Sequence, residues 1–473
     1  MKFNLINGKP FCIARIGLAL ALFAGPVWAQ QPSTPPARYN ITDLGTLGGA
    51  FSEAVSVNNR GLISGASSLP DGTTHAVLWQ KGHITDIGIP GLGGPASNSR
   101  AFDVNEWGRA TGVAETSTPD SNGEDFCGFG THLTCLSFVW QNGVMTPLRT
   151  LGGSNGFALA INNRGQVAGV SENPASDSSC AAPFQVRDFE AAIWGPTPGS
   201  VQELPPLPGD SIGEALWIND LGQAVGTSGS CANTLLPPLA AGPHAVMWEN
   251  AGLTDLGNLG GTCTTPCINP VLGPYGNTAL YINNQGQVVG LSALPGDATF
   301  HAFLWTRATG MQDLLTLPGD IASVGLAING KGEAVGLSLD ASGNPRAFFW
   351  QNGVMTDLNT LIPADSPFLV LFVADVINSS GEIAGFGLTS SFEVHGFLAT
   401  PSNGAPAGES AARATQSETL ESAKIALREN VRKILQQRLR FGRFGVRPVG
   451  PQCTSGSCHS LMSYGRDMTR NMS

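Results

Sequence analysis

The chain has 473 residues, of which 61 are glycine and 32 are proline, and only 13% are charged. A composition so rich in turn residues excludes a protein built mainly from solvated amphipathic helices and favours a strand-rich fold. Residues 30–408 carry 11 Lys and Arg against 30 Asp and Glu, and so acidic a body argues against a nucleic acid as the main partner.

The first 29 residues predict a secretory signal peptide. Lys2, Lys9 and Arg15 precede or begin the apolar run 16–27, and Ala29 marks the expected cleavage site. The alternative is an uncleaved anchor helix, but this run is shorter than the roughly 20 residues that a membrane span needs. We therefore expect an exported protein, periplasmic or extracellular, with no transmembrane span after cleavage.

One pattern recurs along residues 30–400: Val or Ile, then Asn, two residues, Gly, three residues, Gly. The seven repeat asparagines are Asn58, Asn105, Asn162, Asn219, Asn283, Asn329 and Asn378. Seven copies in the same register indicate one structural unit used seven times.

Each copy contains four short apolar runs separated by turn residues, which predict four strands. Strand A ends at the Asn, strand B is of the type Gln287–Gly290, strand C is of the type His301–Trp305, and strand D is of the type Met355–Leu358. Both faces of these strands are apolar, as expected for sheets packed between other sheets. The sequence thus predicts an all-β protein, a seven-bladed β-propeller of four-stranded antiparallel blades, with the Trp of strand C packed between blades.

The two ends of the repeat region predict how the ring closes. The region begins with a strand of type D at residues 39–44 and ends with a strand of type C at Phe397–Leu398. The N-terminal strand is therefore expected to complete the seventh blade, which leaves no half-built sheet.

These repeats resemble the HAF family of extracellular repeats, named after the sequence found here at His301–Phe303. The resemblance covers residues 41–400 and implies export and a propeller-like repeat fold, but no agreed activity. The His occurs only in copies with His75, His244, His301 and His395. A bond from this His to a neighbouring loop is therefore expected rather than a shared catalytic role.

Four insertions lengthen particular copies. Residues 114–136, 171–189 and 227–243 lie between strands B and C, and residues 260–277 lie between strand D and the next strand A. These connections leave the same end of the ring, which predicts a binding surface there. The candidate ligand-binding residues are Phe126, Phe129, His132, Phe184, Arg187 and Tyr275. The alternative is that the aromatic rings pack the insertions onto the blades.

Eight cysteines remain once Cys12 leaves with the signal peptide, an even number that predicts disulfides in an exported protein. The pairs suggested by proximity are Cys127 with Cys135, Cys180 with Cys231, Cys263 with Cys267, and Cys453 with Cys458. A zinc site at Cys453, Cys458 and His459 lacks a fourth ligand, so no metal is expected.

The C-terminal part differs in composition from the repeats. Residues 401–414 are predicted to be a linker, residues 415–441 an amphipathic helix, and residues 442–473 a flexible basic tail. The basic face of the helix would contact a membrane surface or dock on the acidic propeller, and the sequence leaves both open.

No catalytic motif, phosphate-binding loop or calcium loop is found, and no cofactor is implied. The sequence therefore predicts an exported, non-enzymatic scaffold that binds a protein or glycan through the end of the ring that carries the B–C and D–A connections. The alternative is a propeller hydrolase or lyase that acts on polysaccharide. A third class is a purely structural envelope component.

Overall fold

The computed structural model describes residues 38–180, 185–234, 242–250, 252–263, 267–269 and 273–402. The predicted signal peptide, C-terminal helix and basic tail lie outside these residues, as do Phe184, Cys453 and Cys458. Of the predicted linker, residues 401–402 belong to the last strand. Within the described part, seven four-stranded antiparallel sheets form the blades, so the predicted seven-bladed propeller is confirmed.

The first six blades follow one another along the chain, each as a meander of strands A to D, and blade 7 takes its strand D from the start of the repeat region. Blades 1 and 2 contain β2 (Ser52–Val57), β3 (Ile63–Ser68), β4 (Thr74–Gln80), β5 (His83–Asp86), β6 (Ser99–Val104), β7 (Ala110–Pro119), β8 (Leu133–Gln141) and β9 (Val144–Pro147). Blades 3 and 4 contain β10 (Gly156–Ile161), β11 (Val167–Ser176), β12 (Arg187–Trp194), β13 (Val201–Leu204), β14 (Ile212–Ile218), β15 (Ala224–Gly229), β16 (His244–Glu249) and β17 (Gly252–Asp255).

Before blade 5 lies a separate hairpin of β18 (Cys267–Asn269) and β19 (Gly273–Tyr275). Blades 5 and 6 contain β20 (Thr278–Ile282), β21 (Val288–Ala293), β22 (Phe300–Thr306), β23 (Gly310–Asp313), β24 (Ala322–Ile328), β25 (Ala334–Leu339), β26 (Pro345–Gln351) and β27 (Val354–Asp357). A 3₁₀ turn at Leu358–Thr360 leads to blade 7, which contains β28 (Phe368–Ile377), β29 (Ile383–Thr389), β30 (Val394–Ser402) and β1 (Arg38–Asp43). No helix of the described residues is long and apolar enough to span a membrane.

The first strand closes the ring as predicted. β1 pairs antiparallel with β30, with Ile41 opposite Ala399 and Asp43 opposite Phe397. Phe397 is fully buried in the apolar cluster that joins blades 6, 7 and 1. Strands from the two ends of the repeat region therefore share one sheet.

A ring of hydrogen bonds between the repeat asparagines runs around the centre of the propeller. Each Asn Nδ2 donates to the backbone carbonyl oxygen of the Asn in the next blade, at 2.9 to 3.1 Å, and Asn378 returns to Asn58. Each Oδ1 also accepts the backbone N–H groups two and four residues on, at 3.0 Å from Gln285 and Gln287 to Asn283. One side chain must therefore donate and accept, which explains the requirement for Asn.

The two repeat glycines have different roles. The first lies in the A–B turn with positive φ, for example +75° at Gly286, a conformation that suits glycine. The second opposes a β-bulge in strand A: a Cβ built on Gly290 would lie 2.0 Å from the carbonyl oxygen of Thr278. Because all seven copies show this approach, between 1.7 and 2.1 Å, no larger residue fits there.

The strand C tryptophans pack between blades, as predicted. The buried Trp194 and Trp248 donate their indole N–H to carbonyl oxygens of the preceding blade, Arg149 at 2.6 Å and Pro205 at 2.8 Å. Strands A and B are buried on both faces in most blades, whereas strand D lies at the exposed outer edge. Radial packing of sheets thus forms most of the core.

Candidate functional site

The propeller has two distinct ends, defined by its connections. We call the end with the B–C and D–A connections the loop face, and the end with the A–B and C–D turns the turn face. The insertions predicted to be loops are partly strand: β7 extends to Pro119 and β8 begins at Leu133, and β11 and β12 of blade 3 are lengthened similarly. The insertions therefore build out the blades at the loop face as well as forming loops.

The aromatic candidates at the loop face are mostly buried. Phe126 is 1% exposed and Tyr275 is 4% exposed, and both belong to the apolar cluster at the centre of the ring. The Tyr275 ring lies 4.8 Å from that of Phe300, and the guanidinium of Arg100 lies 5.6 Å from the ring of the half-buried Phe129. In this arrangement the rings pack the insertions onto the blades.

The polar candidates at the loop face hold the backbone of the insertions. The exposed His132 bonds through Nδ1 to the carbonyl oxygen of Gly123 at 2.7 Å. Arg187 donates from Nη1 to the carbonyl oxygen of Pro174 at 2.6 Å, and its backbone N–H donates to Glu124 Oε1 at 3.0 Å. Both side chains thus have structural partners within the protein.

Three of the predicted disulfides are present: Cys127–Cys135, Cys180–Cys231 and Cys263–Cys267. Cys180 and Cys231 lie in the insertions of adjacent blades 3 and 4, so their bond joins two loops. The carboxylate of Asp297 lies within 4.8 Å of the sulfurs of Cys263 and Cys267. Because these sulfurs are bonded to each other, they offer no thiolate to a metal ion.

A buried polar group connects the insertions of blades 2 and 3. Asn155 donates from Nδ2 to Asp120 at 2.9 Å and to Glu172 at 3.1 Å, and Gln185 donates to Glu172 at 3.1 Å. Glu172 and Glu124 are fully buried. Burial, followed by the nearby charge of Glu124, raises the pKa of Glu172 to about 7. Hydrogen bonds to carboxylates therefore hold the two insertions together, although burial of the carboxylates costs free energy of desolvation.

The interior of the ring is apolar. Side chains from the A strands of blades 2 to 7 form one buried cluster together with Phe126 and Tyr275, and the rings of Phe102 and Phe157 lie 5.1 Å apart. Glu214 is fully buried in strand A of blade 4, and burial raises its pKa well above the usual range. An ion pair of Arg100 with Glu53, at 3.4 Å, is also buried. The strand A residues thus form a buried core that is mainly apolar but contains these charged groups.

At the turn face, in contrast, the centre of the ring opens into a cavity of about 290 Å³, which we call the mouth. The repeat asparagines line it, together with the residues that follow them. Those following residues are Asn59, Glu106, Asn163, Asp220, Asn284, Gly330 and Ser379. These following residues contribute amides, two carboxylates and a hydroxyl. Ser56, Asp103, Trp217, Tyr281 and the Val and Ile residues that precede the repeat asparagines also line the mouth.

These following residues form a second, outer series of hydrogen bonds between blades. Asn59 Nδ2 donates to Glu106 at 2.7 Å, and Asn163 Nδ2 donates to Asp220 at 3.0 Å. Burial raises the pKa of Asp220, but hydrogen bonds from Asn163 and Asn284 and the charge of Arg164 outweigh it, and the net shift is downward. The mouth thus presents fixed polar groups with an ionised carboxylate among them.

Trp107 lies in the A–B turn of blade 2, two residues after the mouth residue Asn105. Its side chain is 64% exposed, the largest exposure among the bulky apolar side chains of the described residues. The indole N–H donates to the carbonyl oxygen of Asn163 at 3.0 Å, and the guanidinium of Arg60 lies 5.8 Å from the ring. A large exposed ring is therefore held in a fixed orientation next to the mouth residues Glu106 and Asn163.

In three blades the repeat His pairs with an Asp, rather than mainly with the neighbouring loop that we predicted from the sequence. His301 and His395 bond through Nδ1 to Asp313 and Asp43 at 2.9 Å, and His75 bonds to Asp86 at 2.8 Å. The partner is thus an Asp of strand D in the same blade. His75 additionally contacts the loop carbonyl of Pro95, at 3.1 Å.

The signal for this pair was present in the repeats. Arg346 replaces His in blade 6 and still pairs with Asp357, whereas blade 2 has neither His nor Asp at these positions. In blade 3 both positions are acidic, and burial, followed by the charges of Asp188 and Glu203, raises the pKa of Glu190 to about 9. The recurrence of the pair supports a structural role for this His.

No family model matches this chain, and no curated protein matches it in sequence. Among solved structures it is similar to the BP39L lectin from Burkholderia pseudomallei, with 11% identity, TM-score 0.36, and coverage of 79% of this chain and 98% of the lectin. TolB from Acinetobacter baumannii gives 13% identity, TM-score 0.33, and coverage of 72% and 79%.

A third similar structure is dipeptidyl peptidase 4 from Porphyromonas gingivalis, with 9% identity and TM-score 0.36. The match covers 72% of this chain and only half of the peptidase. A lectin, TolB and a peptidase have different functions, and the likeness is at this low level for each. These comparisons therefore carry no conclusion about a ligand or reaction.

Proposed function

We propose that this chain is an exported, non-enzymatic binding protein and that the mouth at the turn face binds a glycan. The observation that carries the proposal is Trp107, which is 64% exposed, directly follows the mouth residue Glu106 and bonds to the mouth residue Asn163. The proposal places the binding site at the end of the ring opposite to the one favoured by the sequence, because Phe126 and Tyr275 of the loop face are buried.

The chemistry of the mouth matches that of a sugar. A pyranose ring presents an apolar C–H face, which stacks on an indole, and an edge of hydroxyl groups, which bond to amides and carboxylates. The hydrogen bond from Trp107 to Asn163 fixes the indole before a ligand arrives, so less conformational entropy is lost on binding. Exposed, oriented tryptophans of this kind commonly supply much of the free energy of binding.

The alternative of a polysaccharide hydrolase or lyase needs a catalytic acid, and Asp220 of the mouth does not suit that role. Asp220 accepts hydrogen bonds from the backbone N–H of Asn163 at 2.8 Å and from Asn284 Nδ2 at 3.0 Å. Its pKa is lowered, whereas a catalytic acid requires a raised one. A binding role requires these groups only as donors and acceptors of hydrogen bonds.

Export remains part of the proposal. The three disulfides fit a protein that folds outside the reducing cytosol, where such bonds persist. We likewise propose, from the repeat motif alone, that the chain is a HAF-type repeat protein.

The test compares one exposed aromatic residue on each face. Trp107→Ala removes the ring at the mouth, and Phe392→Ala removes a 55% exposed ring in the B–C loop of blade 7 at the loop face. Both variants are assayed with the wild type for binding to a panel of neutral and acidic oligosaccharides by glycan array and then by titration calorimetry. We expect Trp107→Ala to weaken binding by about tenfold or more and Phe392→Ala to leave it unchanged.

The result that contradicts the proposal is equally specific. Binding that survives Trp107→Ala but is lost in Phe392→Ala would place the ligand at the loop face. A protein that binds no oligosaccharide of the panel would refute glycan binding. Thermal unfolding of each variant shows that any loss is not a loss of fold.

A further inference from the structure

A second cavity, of about 470 Å³, lies between blades 2 and 3 and extends from Gly165 in the A–B turn of blade 3 to Arg149 in the D–A connection of blade 2. We call it the cleft. Strands C and D of blade 2 form one wall, and the C–D turn of blade 3 forms the other. Its lining includes the guanidinium-bearing residues Arg109 and Arg149 but no Asp or Glu. The cleft is therefore a positively charged pocket in a strongly acidic protein.

Neither arginine has a charged partner among the described residues. Within the described residues the guanidinium groups of Arg109 and Arg149 form no ion pair and no hydrogen bond, and the Nε of Arg109 is buried without an acceptor. A Cβ built on Gly165 would lie 2.7 Å from Nη1 of Arg109, which places this guanidinium against a glycine that lines the cleft. An unsatisfied, partly desolvated guanidinium favours an anionic ligand.

The wall formed by blade 3 is built differently from its counterparts. Its C–D connection spans residues 195–200, with Pro196 and Pro198, whereas blades 1, 2 and 6 connect the same strands by two residues. Proline restricts the backbone, so this wall is stiff before any ligand binds. The extra residues line the cleft. The longer C–D connection of blade 3 thus adds residues to the wall of the cleft.

The cleft adjoins the proposed sugar-binding site through two shared turns. Trp107 and Arg109 belong to the same A–B turn of blade 2, and Trp107 bonds to Asn163 in the turn that contains Gly165. A ligand seated on Trp107 therefore has the cleft within reach of its next residue or substituent. The cleft therefore borders the A–B turns beside the mouth and extends along strand D of blade 2 to Arg149.

We propose that the cleft binds the anionic group of an acidic glycan, a carboxylate or a sulfate, through Arg109 and Arg149. A guanidinium binds either anion through paired N–H groups, so the arginines are suited to both. The glycan part of this inference rests on the function proposed above, whereas the anion site itself does not. The acidic body would repel an anion elsewhere on the surface, which makes the cleft the favoured contact.

The test uses the full chain and a variant with both cleft charges removed, Arg109→Gln/Arg149→Gln. The matched control is Lys81→Gln/Lys331→Gln, which lowers the net charge equally at exposed residues that line neither wall of the cleft. The probes are oligogalacturonate with its neutral methyl ester, and a sulfated oligosaccharide with its desulfated form. Inorganic sulfate, compared with chloride at equal ionic strength, tests the anion site without a sugar.

We expect one or both anionic oligosaccharides to bind about tenfold or more tightly than the neutral match, and this preference to be lost in the arginine variant but kept in the lysine control. Preference for one probe identifies carboxylate or sulfate. Sulfate is expected to raise the midpoint of thermal unfolding of the wild type and the control only.

Equal binding of anionic and neutral forms, or a preference that survives in the arginine variant, overturns the cleft but leaves glycan binding at Trp107 intact. Loss of the preference in the lysine control as well would show general electrostatic attraction and would also overturn it. If no oligosaccharide binds but sulfate stabilises the wild type through the arginines, the proposed glycan function fails and the anion site stands. If sulfate does not act either, both fail.

Discussion

The ring of repeat asparagines offers a direct test of what holds the blades together. Asn283 and Asn284 are neighbours with the same side chain, but Asn283 is buried in the ring and Asn284 is exposed in the outer series. Asn283→Ala removes four hydrogen bonds: to Asn329 and Gln287 from Nδ2, and from the N–H groups of Gln285 and Gln287 to Oδ1. Asn284→Ala removes two exposed bonds with Asp220: the backbone N–H of Asp220 donates to Asn284 Oδ1, and Asn284 Nδ2 donates to the Asp220 carboxylate.

The expected cost follows from these bonds. At about 1 kcal/mol for each intramolecular hydrogen bond, Asn283→Ala lowers the free energy of unfolding by about 3 to 4 kcal/mol. Asn284→Ala lowers it by about 1 kcal/mol or less, because water replaces its bonds. With an unfolding entropy of roughly 2.1 cal/mol/K per residue, the larger loss lowers the unfolding midpoint of the propeller by about 4 °C.

The assay is calorimetric unfolding supported by urea denaturation followed by circular dichroism. Asn283→Asp is the second variant, because a carboxylate retains both acceptor bonds but cannot donate to Asn329. It should be destabilised at neutral pH and recover part of the loss in acid, where its carboxyl is protonated. Equal destabilisation by Asn283→Ala and Asn284→Ala would refute the reasoning that the inner ring, rather than the outer series, joins the blades.

Two further predictions concern the loop face. Because the pKa of Glu172 is raised to about 7, its contribution to stability is present below the unfolded-state pKa of about 4.5 and is lost as the pH rises through about 7. Glu172→Gln should therefore stabilise the protein at pH 8, by up to about 3 kcal/mol, and have little effect at pH 4.5, measured by urea unfolding at both pH values; an equal effect at both would contradict this. Replacing Cys180 and Cys231 by Ser opens a link across 51 residues and should cost about 4 kcal/mol, whereas replacing Cys263 and Cys267 opens one of 4 residues and should cost about 2 kcal/mol. Thermal unfolding gives the order, and a reversed order would show that local strain, not chain entropy, decides.

The fold was predictable because the same local chemistry recurs at every blade. The Asn, the turn Gly and the bulge-facing Gly are each required by backbone geometry, so their spacing reveals the A–B hairpin directly. Strands of type D and type C at opposite ends of the repeat region revealed the closure, which the pairing of Asp43 with Phe397 confirms. Local sequence patterns were sufficient to predict the fold because every blade uses the same A–B turn and the same bulge.

The candidate site was not predictable in the same way. Phe126 and Tyr275 look like surface aromatics in a Cys-rich loop, but their burial depends on neighbours that lie far along the chain, such as Phe300 for Tyr275. The mouth is formed by adjacent residues from each of seven blades, and residues of different blades are far apart in sequence. Trp107 occupies a variable position of the A–B turns, where other blades have Arg60 or Leu221. The only available signal was a large aromatic residue at a turn position.

The pairing of β1 with β30 has a consequence for how the molecule assembles. Asp43 meets Phe397 only after more than three hundred intervening residues have been placed. Six blades each consist of consecutive segments of the chain and can begin to form during synthesis. The seventh blade requires both ends of the repeat region at the same time. Completion of the circle is therefore a late event, and an incompletely synthesised or clipped molecule would expose the unpaired edge of β30 or β1 to other chains.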